Sequence, residues 1–368
     1  MSTYKFIMES GPGPETAING KRYLYFAGTG YFSFQTHPDI LQAAQKALEE
    51  FGMGTATSRN QFGTSPLLLE VEKKAREFMG SEDATYLPSG YLINLAGFQA
   101  LDQLQRFDAM FVDGDAHWSI TDFMYALRKP VYTFAHGDPE DLARQLKAHL
   151  QAGQKPLVAS DGIFPTFGKI APVEAYLPLV EAYDGCLWLD DCHALGVLGE
   201  HGRGTYEHYG LGPQRVYSGS TLSKAVGAHG GIITGNEDFI SPIRAGHISN
   251  GANAWASAAA GAAAKGLDLL VAQPGLRAQL WHNARQLKSG LKAMGFNQDD
   301  THVPIAAWAL ATGEDMDHVH AELMKRGIAI QRSAYVGAGP KGVLRTVVFS
   351  NHTPEQIARL LAELKSLV

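Results

Sequence analysis

Residues 216–235 read VYSGSTLSKAVGAHGGIITG. One lysine, Lys224, stands there among Ser, Thr, Ala and Gly, with no acidic residue within ten positions on either side. The run 215–217 reads as a short strand and 231–234 as another, since both carry β-branched or aromatic residues. A lysine held between two buried strands is costly to desolvate, and burial lowers its pKa toward neutrality. Such an amine suits covalent bonding to a carbonyl carbon. The plainer alternative is a loop lysine whose stem lies on apolar surface while its ammonium reaches water.

Upstream of this stretch, strands and helices alternate. Strands are expected over 84–87, 109–112, 131–134, 157–160 and 187–190, and helices over 91–104, 120–127, 139–150 and 173–183. That spacing predicts an α/β fold with a mostly parallel, doubly wound sheet and helices on both faces. In such sheets ligands collect outside the carboxyl ends of the strands. The polar residues of interest fall there: Ser89-Gly90, the run from Asp113 to His117, Asp161, the run from Asp190 to His193, and the run from Thr221 to Lys224.

The flanks differ in character. Residues 1–36 read as an irregular N-terminal segment with a strand over 23–26. Two helices follow, 38–51 and 66–79, around a Gly/Ser/Thr-rich loop that carries Arg59. From about residue 272 helices (277–293, 315–326, 354–367) alternate with short strands (305–310, 329–331, 344–349), an α+β pattern. The expected division is an N-terminal segment (1–36), a large cofactor-binding domain (37–271) and a small C-terminal domain (272–368).

A chain of 368 residues, 45% hydrophobic, can bury cores of this size. Thirty-one basic against 37 acidic residues leave a net charge of -6. That argues against nucleic acid or an anionic membrane surface as the main partner. The most apolar long run, 252–272, is Ala-rich, broken by Gly261 and Gly266, and carries Lys265 and Asp268. It reads as a buried or interface helix rather than a membrane span. Cys186 and Cys192, six apart on or beside one strand, cannot reach disulfide geometry with each other. With free thiols and no apolar signal core in MSTYKFIMESGPGPETAINGKRY, the expected location is the cytoplasm.

Common nucleotide and hydrolase signatures are missing: no complete G-x-G-x-x-G, no glycine before the lysine of GSTLSK, and no G-x-S-x-G. The cluster Asp190-Asp191-Cys192-His193 admits three readings. With Asp113, Asp115 and His117 it suits metal ions for hydrolysis. Alternatively one aspartate pairs with a cationic ring nitrogen of a cofactor while His193 contacts the ring. The third reading is a solvated turn. Lys224, one strand later, favours the cofactor. A metal site gains little from a desolvated lysine, whereas pyridoxal phosphate needs an amine for its aldehyde and an anion for its pyridinium.

The segment DDCHALGVLGEHGRGTYEHYGL (190–211), followed by STLSKAVGAHGG (220–231), resembles the α-oxoamine synthase family of pyridoxal-phosphate enzymes. The resemblance runs from about Tyr23 to the C-terminus, and its signature is D-D/E-x-H-x-x-G with S/T-x-x-K at this distance. It implies a fold-type-I homodimer with a shared active site, no metal, and pyridoxal 5′-phosphate as cofactor. Lys224 would hold the cofactor's aldehyde and then act as acid and base at Cα. Asp190 would pair with the pyridine nitrogen, His193 with the phenolic oxygen, and His117 would stack on the ring. Gly90 and Tyr91 would bind the phosphate, which fits independently because they open a helix whose N-terminus favours an anion. Thr221 would add a hydroxyl, and Ser249 and Asn250 would reach the neighbouring subunit's phosphate. Arg345 would take the amino-acid carboxylate, with Thr29 nearby and Asp161 at the family's acidic position. Arg203 reads as structural. Three positions depart from the family: Thr29 stands for Asn, Pro165 for Ser, and Val343 for Arg. The implied reaction is decarboxylative condensation of an amino acid with an acyl-CoA. Alternatives are an aminotransferase or other Cα chemistry without acyl-CoA, a metal-dependent hydrolase, and a pseudoenzyme that keeps the cofactor as a structural ligand.

Overall fold

The computed structural model describes residues 5–211 and 215–368; residues 1–4 of the N-terminal segment and 212–214 lie outside it. The chain forms two compact units. One takes Pro38–Phe164 and Ile170–Ala272; the other takes the chain up to His37, Pro165–Lys169 and Gln273–Val368.

The larger unit is built on a seven-stranded sheet. In spatial order its strands are Asp83–Leu87, Gly231–Gly235, Val216–Thr221, Cys186–Asp190, Pro156–Asp161, Ala109–Asp113 and Val131–Phe134. Gly231–Gly235 runs antiparallel to both neighbours, and the other six strands point the same way. The mostly parallel α/β sheet expected from the spacing is therefore present, with one reversed strand. Side chains alternate between faces, as strand geometry requires. Met110, Val112, Leu157, Ala159 and Trp188 enter one apolar core, and Phe111, Val158, Leu187 and Leu189 enter the other. Both faces are covered, as parallel sheets demand.

Two helices shape the site edge. The chain after Asp83–Leu87 makes a short 3-10 turn, Gly90–Leu92, that passes into the helix Ile93–Gln103. This helix lies hard on the sheet: a Cβ on Gly97 would fall 2.1 Å from the Trp188 ring. The helix expected over 120–127 does not form. Helical structure covers only Trp118–Thr121, and the chain then proceeds through looser turns to Arg128, whose φ is 57°. The Ala-rich run is a mostly buried helix, Ser257–Ala272, packed on Pro38–Phe51 and Pro66–Met79. Among the described residues no helix is long and apolar enough to cross a membrane.

The smaller unit holds two three-stranded sheets. Ile305–Trp308, Val343–Val347 and Gln331–Ser333 form one, antiparallel throughout. Glu15–Ile18, Lys21–Tyr25 and Ile328–Ala329 form the other. Leu24, Phe26, Leu287, Trp308, Leu344 and Leu360 sit in its core.

Candidate active site

Four parallel strands end in polar residues on one edge of the large sheet: Asp113, Asp161, Asp190 and Thr221. Asp161 and Asp190 are neighbours in the ladder. Lys224 sits on the connection 222–230 between Val216–Thr221 and its antiparallel partner Gly231–Gly235. Its Nζ lies 2.7 Å from His193 Nε2. Lys224 is half-buried, whereas His193 is buried.

Asp190 is 2% exposed. Its Oδ2 accepts from Asn94 Nδ2 at 2.9 Å and faces the Ser119 hydroxyl at 3.3 Å; its Oδ1 accepts from the Cys192 N–H at 3.0 Å. These donors are all neutral. Asp191 is committed elsewhere. The Thr205 N–H donates to it at 3.0 Å and the Thr205 hydroxyl at 2.5 Å. Burial pushes Asp191 up to about 7, against the Thr205 hydrogen bonds. Of the two adjacent aspartates, only Asp190 meets the other site residues.

His117 donates its backbone N–H to Asp161 Oδ2 at 2.7 Å. Burial, reinforced by Asp190, holds the Asp161 carboxyl well above the usual carboxylate range. The His117 imidazole sits 2.6 Å from the Ser119 hydroxyl through Nδ1, which also accepts the Ser119 N–H at 3.1 Å. Burial lowers the pKa of His117, with Asp190 working against it and Lys224 with it. The Tyr91 ring meets His117 edge-on at 6.1 Å, and its hydroxyl donates to Asp122. Gly90 is pressed against Thr221: an added Cβ would lie 2.4 Å from Thr221 Cβ. The Thr221 hydroxyl pairs with Ser223 at 2.8 Å.

The structure thus brings together Gly90, Tyr91, His117, Asp161, Asp190, His193, Thr221 and Lys224. Ser249 and Asn250 lie on His247–Gly251 and bond back to their own segment, Ser249 to the Ile243 carbonyl and Asn250 to those of Ala245 and Gly246. Arg345 and Thr29 belong to the other unit. Thr29 is half-buried in a loop. Arg345 is 4% exposed and donates Nε to the Pro165 carbonyl at 2.8 Å and Nη1 to Gln331 Oε1 at 3.0 Å. Burial lowers its pKa, opposed by the phenols of Tyr31, Tyr25 and Tyr335, which are not carboxylates. Arg203 donates Nε to the Phe78 carbonyl. Asn94 and Ser119 escaped the sequence reading. The signals were a lone amide on an otherwise apolar helix face, and a serine two residues after His117.

Among the described residues no group of three or more His, Cys, Asp or Glu is placed to hold a metal. Asp113, in particular, takes His136 Nδ1 and the Gly137 N–H, each at 2.9 Å.

The aminotransferase class I and II family model matches residues 28–364. 8-Amino-7-oxononanoate synthase 1 of Bacillus velezensis is 31% identical over 98% of this chain and 92% of its own length. Serine palmitoyltransferase of Sphingomonas wittichii aligns with a TM-score of 0.91 at 28% identity, covering 100% of this chain and 92% of that one. A high-resolution structure of serine palmitoyltransferase with pyridoxal phosphate gives a TM-score of 0.91 at 29% identity, covering 98% and 92%.

Proposed function

Because this chain belongs to the aminotransferase class I and II family, as a pyridoxal-phosphate-dependent α-oxoamine synthase of fold type I, we propose that it condenses an amino acid with an acyl-CoA and releases CoA and CO2. The observation that carries the reading is the trio Lys224, His193 and Asp190. An amine lies 2.7 Å from an imidazole, beside a buried carboxylate whose hydrogen-bond donors are neutral.

The residues present fit the cofactor. Asp190 is a buried carboxyl whose hydrogen-bond donors are neutral groups, a suitable partner for a pyridinium. Gly90 and Tyr91 start a helix at a point where only glycine fits against Thr221, and a helix N-terminus favours a phosphate; the Tyr91 N–H, which here donates to Ser89 Oγ, and the Thr221 hydroxyl, which here meets Ser223 and the Gly230 carbonyl, would turn to it. Bound there, pyridoxal phosphate supplies an electron-withdrawing ring that stabilises negative charge on the amino acid's Cα.

The chain's own residues do the rest. Lys224 Nζ removes the Cα proton, and a placed base of this kind contributes about 10²- to 10⁴-fold. His193 Nε2, in hydrogen-bond contact with Nζ, orients the amine and would contact the cofactor's phenolic oxygen. Asp190 would pair with the ring nitrogen and His117 would cover the ring face, while Asp161 accepts the His117 backbone N–H. Arg345, a buried guanidinium held by neutral oxygens, binds the substrate carboxylate, and Thr29 is proposed for the same role. Ser249 and Asn250 serve the neighbouring subunit of a homodimer. The exposed Phe62 and Met53 support such an interface. The new C–C bond forms at the thioester carbonyl as the CoA thiolate leaves, and the resulting β-keto acid loses CO2. Free Cys186 and Cys192 support a cytoplasmic setting.

The test is to incubate the holoenzyme with glycine, serine or alanine and with short and long acyl-CoAs. One pair should yield free CoA and CO2 in equal amounts. If amino acid alone drives the cofactor to its pyridoxamine form and no thiol appears with any acyl-CoA, the enzyme is an aminotransferase and this reading is wrong.

A further inference from the structure

We infer that Asn94 is a positioning residue that sets both the carboxylate of Asp190 and the imidazole of His117 from a single buried amide. The inference rests on the reading of those two residues as cofactor-facing groups.

Asn94 is fully buried on Ile93–Gln103. The Trp188 indole N–H donates to its Oδ1 at 2.6 Å. Indole nitrogen is only a donor, and an ionised carboxylate only an acceptor. One orientation of the amide satisfies both, with oxygen toward Trp188 and nitrogen toward Asp190. In that orientation the two amide hydrogens are fully used. One goes to Asp190 Oδ2 at 2.9 Å and the other to Ser119 Oγ at 2.8 Å. No flip of Asn94 is free, so Asp190 is held in one rotamer with its Oδ2 side occupied.

The second amide hydrogen decides what Ser119 does. Its hydroxyl oxygen accepts from Asn94, so its single proton must point elsewhere, and His117 Nδ1 at 2.6 Å is nearer than Asp190 Oδ2 at 3.3 Å. The Ser119 backbone N–H donates to the same Nδ1. Two donors on one ring nitrogen fix it as an acceptor. His117 is then the neutral Nε2–H tautomer, because an Nδ1 proton would face both donors. The charged groups acting on the ring are Asp190, Lys224 and Asp122, and burial holds its pKa down against the two carboxylates. Asp190 and His117 thus take their orientations from one amide, the first directly and the second through Ser119.

The arrangement runs from Trp188 through Asn94 to the two site residues, on three elements that share the large unit. Gly97, one helical turn after Asn94, lets the helix approach Trp188 closely enough to close it.

The experiment compares Asn94→Leu with Asp190→Asn. Leucine matches the shape of asparagine and donates nothing. Pyridoxal-phosphate affinity is measured by titrating apoenzyme, the absorption band of bound cofactor is followed across pH, and melting temperature is recorded in parallel. Asn94→Leu should bind cofactor about tenfold more weakly and move the pH midpoint of the absorption band by about one unit, the change expected from loss of one charge-directed hydrogen bond. A lower melting temperature with wild-type affinity and an unmoved midpoint makes Asn94 purely structural and overturns the inference. If Asp190→Asn also leaves affinity unchanged, the site reading itself has failed. Should Asn94→Leu not fold, Ser119→Ala tests the His117 arm: its absorption midpoint must shift, and an unmoved one refutes the arrangement.

Discussion

His352 makes folding of the smaller unit sensitive to mild acid. Its ring is 2% exposed and stacks on Phe26 at 4.3 Å with planes 3° apart. Nδ1 accepts the Phe349 N–H at 2.8 Å, and Nε2 donates to the Tyr25 carbonyl at 3.1 Å. A second proton on Nδ1 would face a donor, and burial holds the pKa down to about 4 from an ordinary 6.5. The unfolded chain therefore binds the proton first as pH falls, so stability is intact above about pH 6.5 and drains away between there and pH 4. At pH 5 the unfolded ring is almost wholly charged and the folded one about one-tenth charged, which removes about 2 kcal/mol. His352→Asn keeps an acceptor for Phe349 and cannot titrate. Urea unfolding of both proteins at pH 7.5 and pH 5 isolates the effect. The wild type should lose about 2 kcal/mol more than the variant across that interval, whatever the variant's baseline. Equal losses in the two proteins would refute the assignment of acid sensitivity to His352.

Two further outcomes bear on the site. Gly90→Ala places a methyl 2.4 Å from Thr221 Cβ and 3.0 Å from its Cα. Overpacking of this kind costs about 1–3 kcal/mol, so we expect a lower melting temperature together with weaker pyridoxal-phosphate binding; unchanged binding would remove Gly90 from the phosphate site. Arg345→Met should raise the KM for the amino acid at least tenfold, on the order of one charge-assisted bond, while apoenzyme titration with cofactor stays at wild type. A rise confined to the acyl-CoA KM would reassign the arginine.

The alternating strands and helices were legible because strands buried on both faces are short apolar runs between turn residues, as in AMFVD and CLWLD. The reversed strand was harder. GIIT looks the same in either direction, yet the connection 222–230 is too short for the dozen or more residues a parallel crossover needs. The helix expected over 120–127 failed for a different reason. Its apolar spacing is also compatible with the i→i+3 turns found there, and Asp122, at the helix end, is engaged by Tyr91. In the site, Lys224, Asp190, His193 and His117 stood out because charged or titratable groups at strand ends are unusual. Asn94 and Ser119 did not. Their work is hydrogen bonding between distant segments, so a lone amide on an apolar helix face and a serine two residues after His117 mark the positions without naming their partners.

Pro165 bears on how variation at this site should be read. The residue offers no hydroxyl and no N–H, yet its carbonyl receives Arg345 Nε. That acceptor is part of the main chain, so every amino acid at position 165 supplies it as long as the chain keeps its path. The aim of the arginine is thus encoded in backbone course rather than in residue identity. A saturation library at position 165 should be tolerant wherever the path survives, and a ranking of positions by side-chain variability would pass over an atom that fixes a guanidinium.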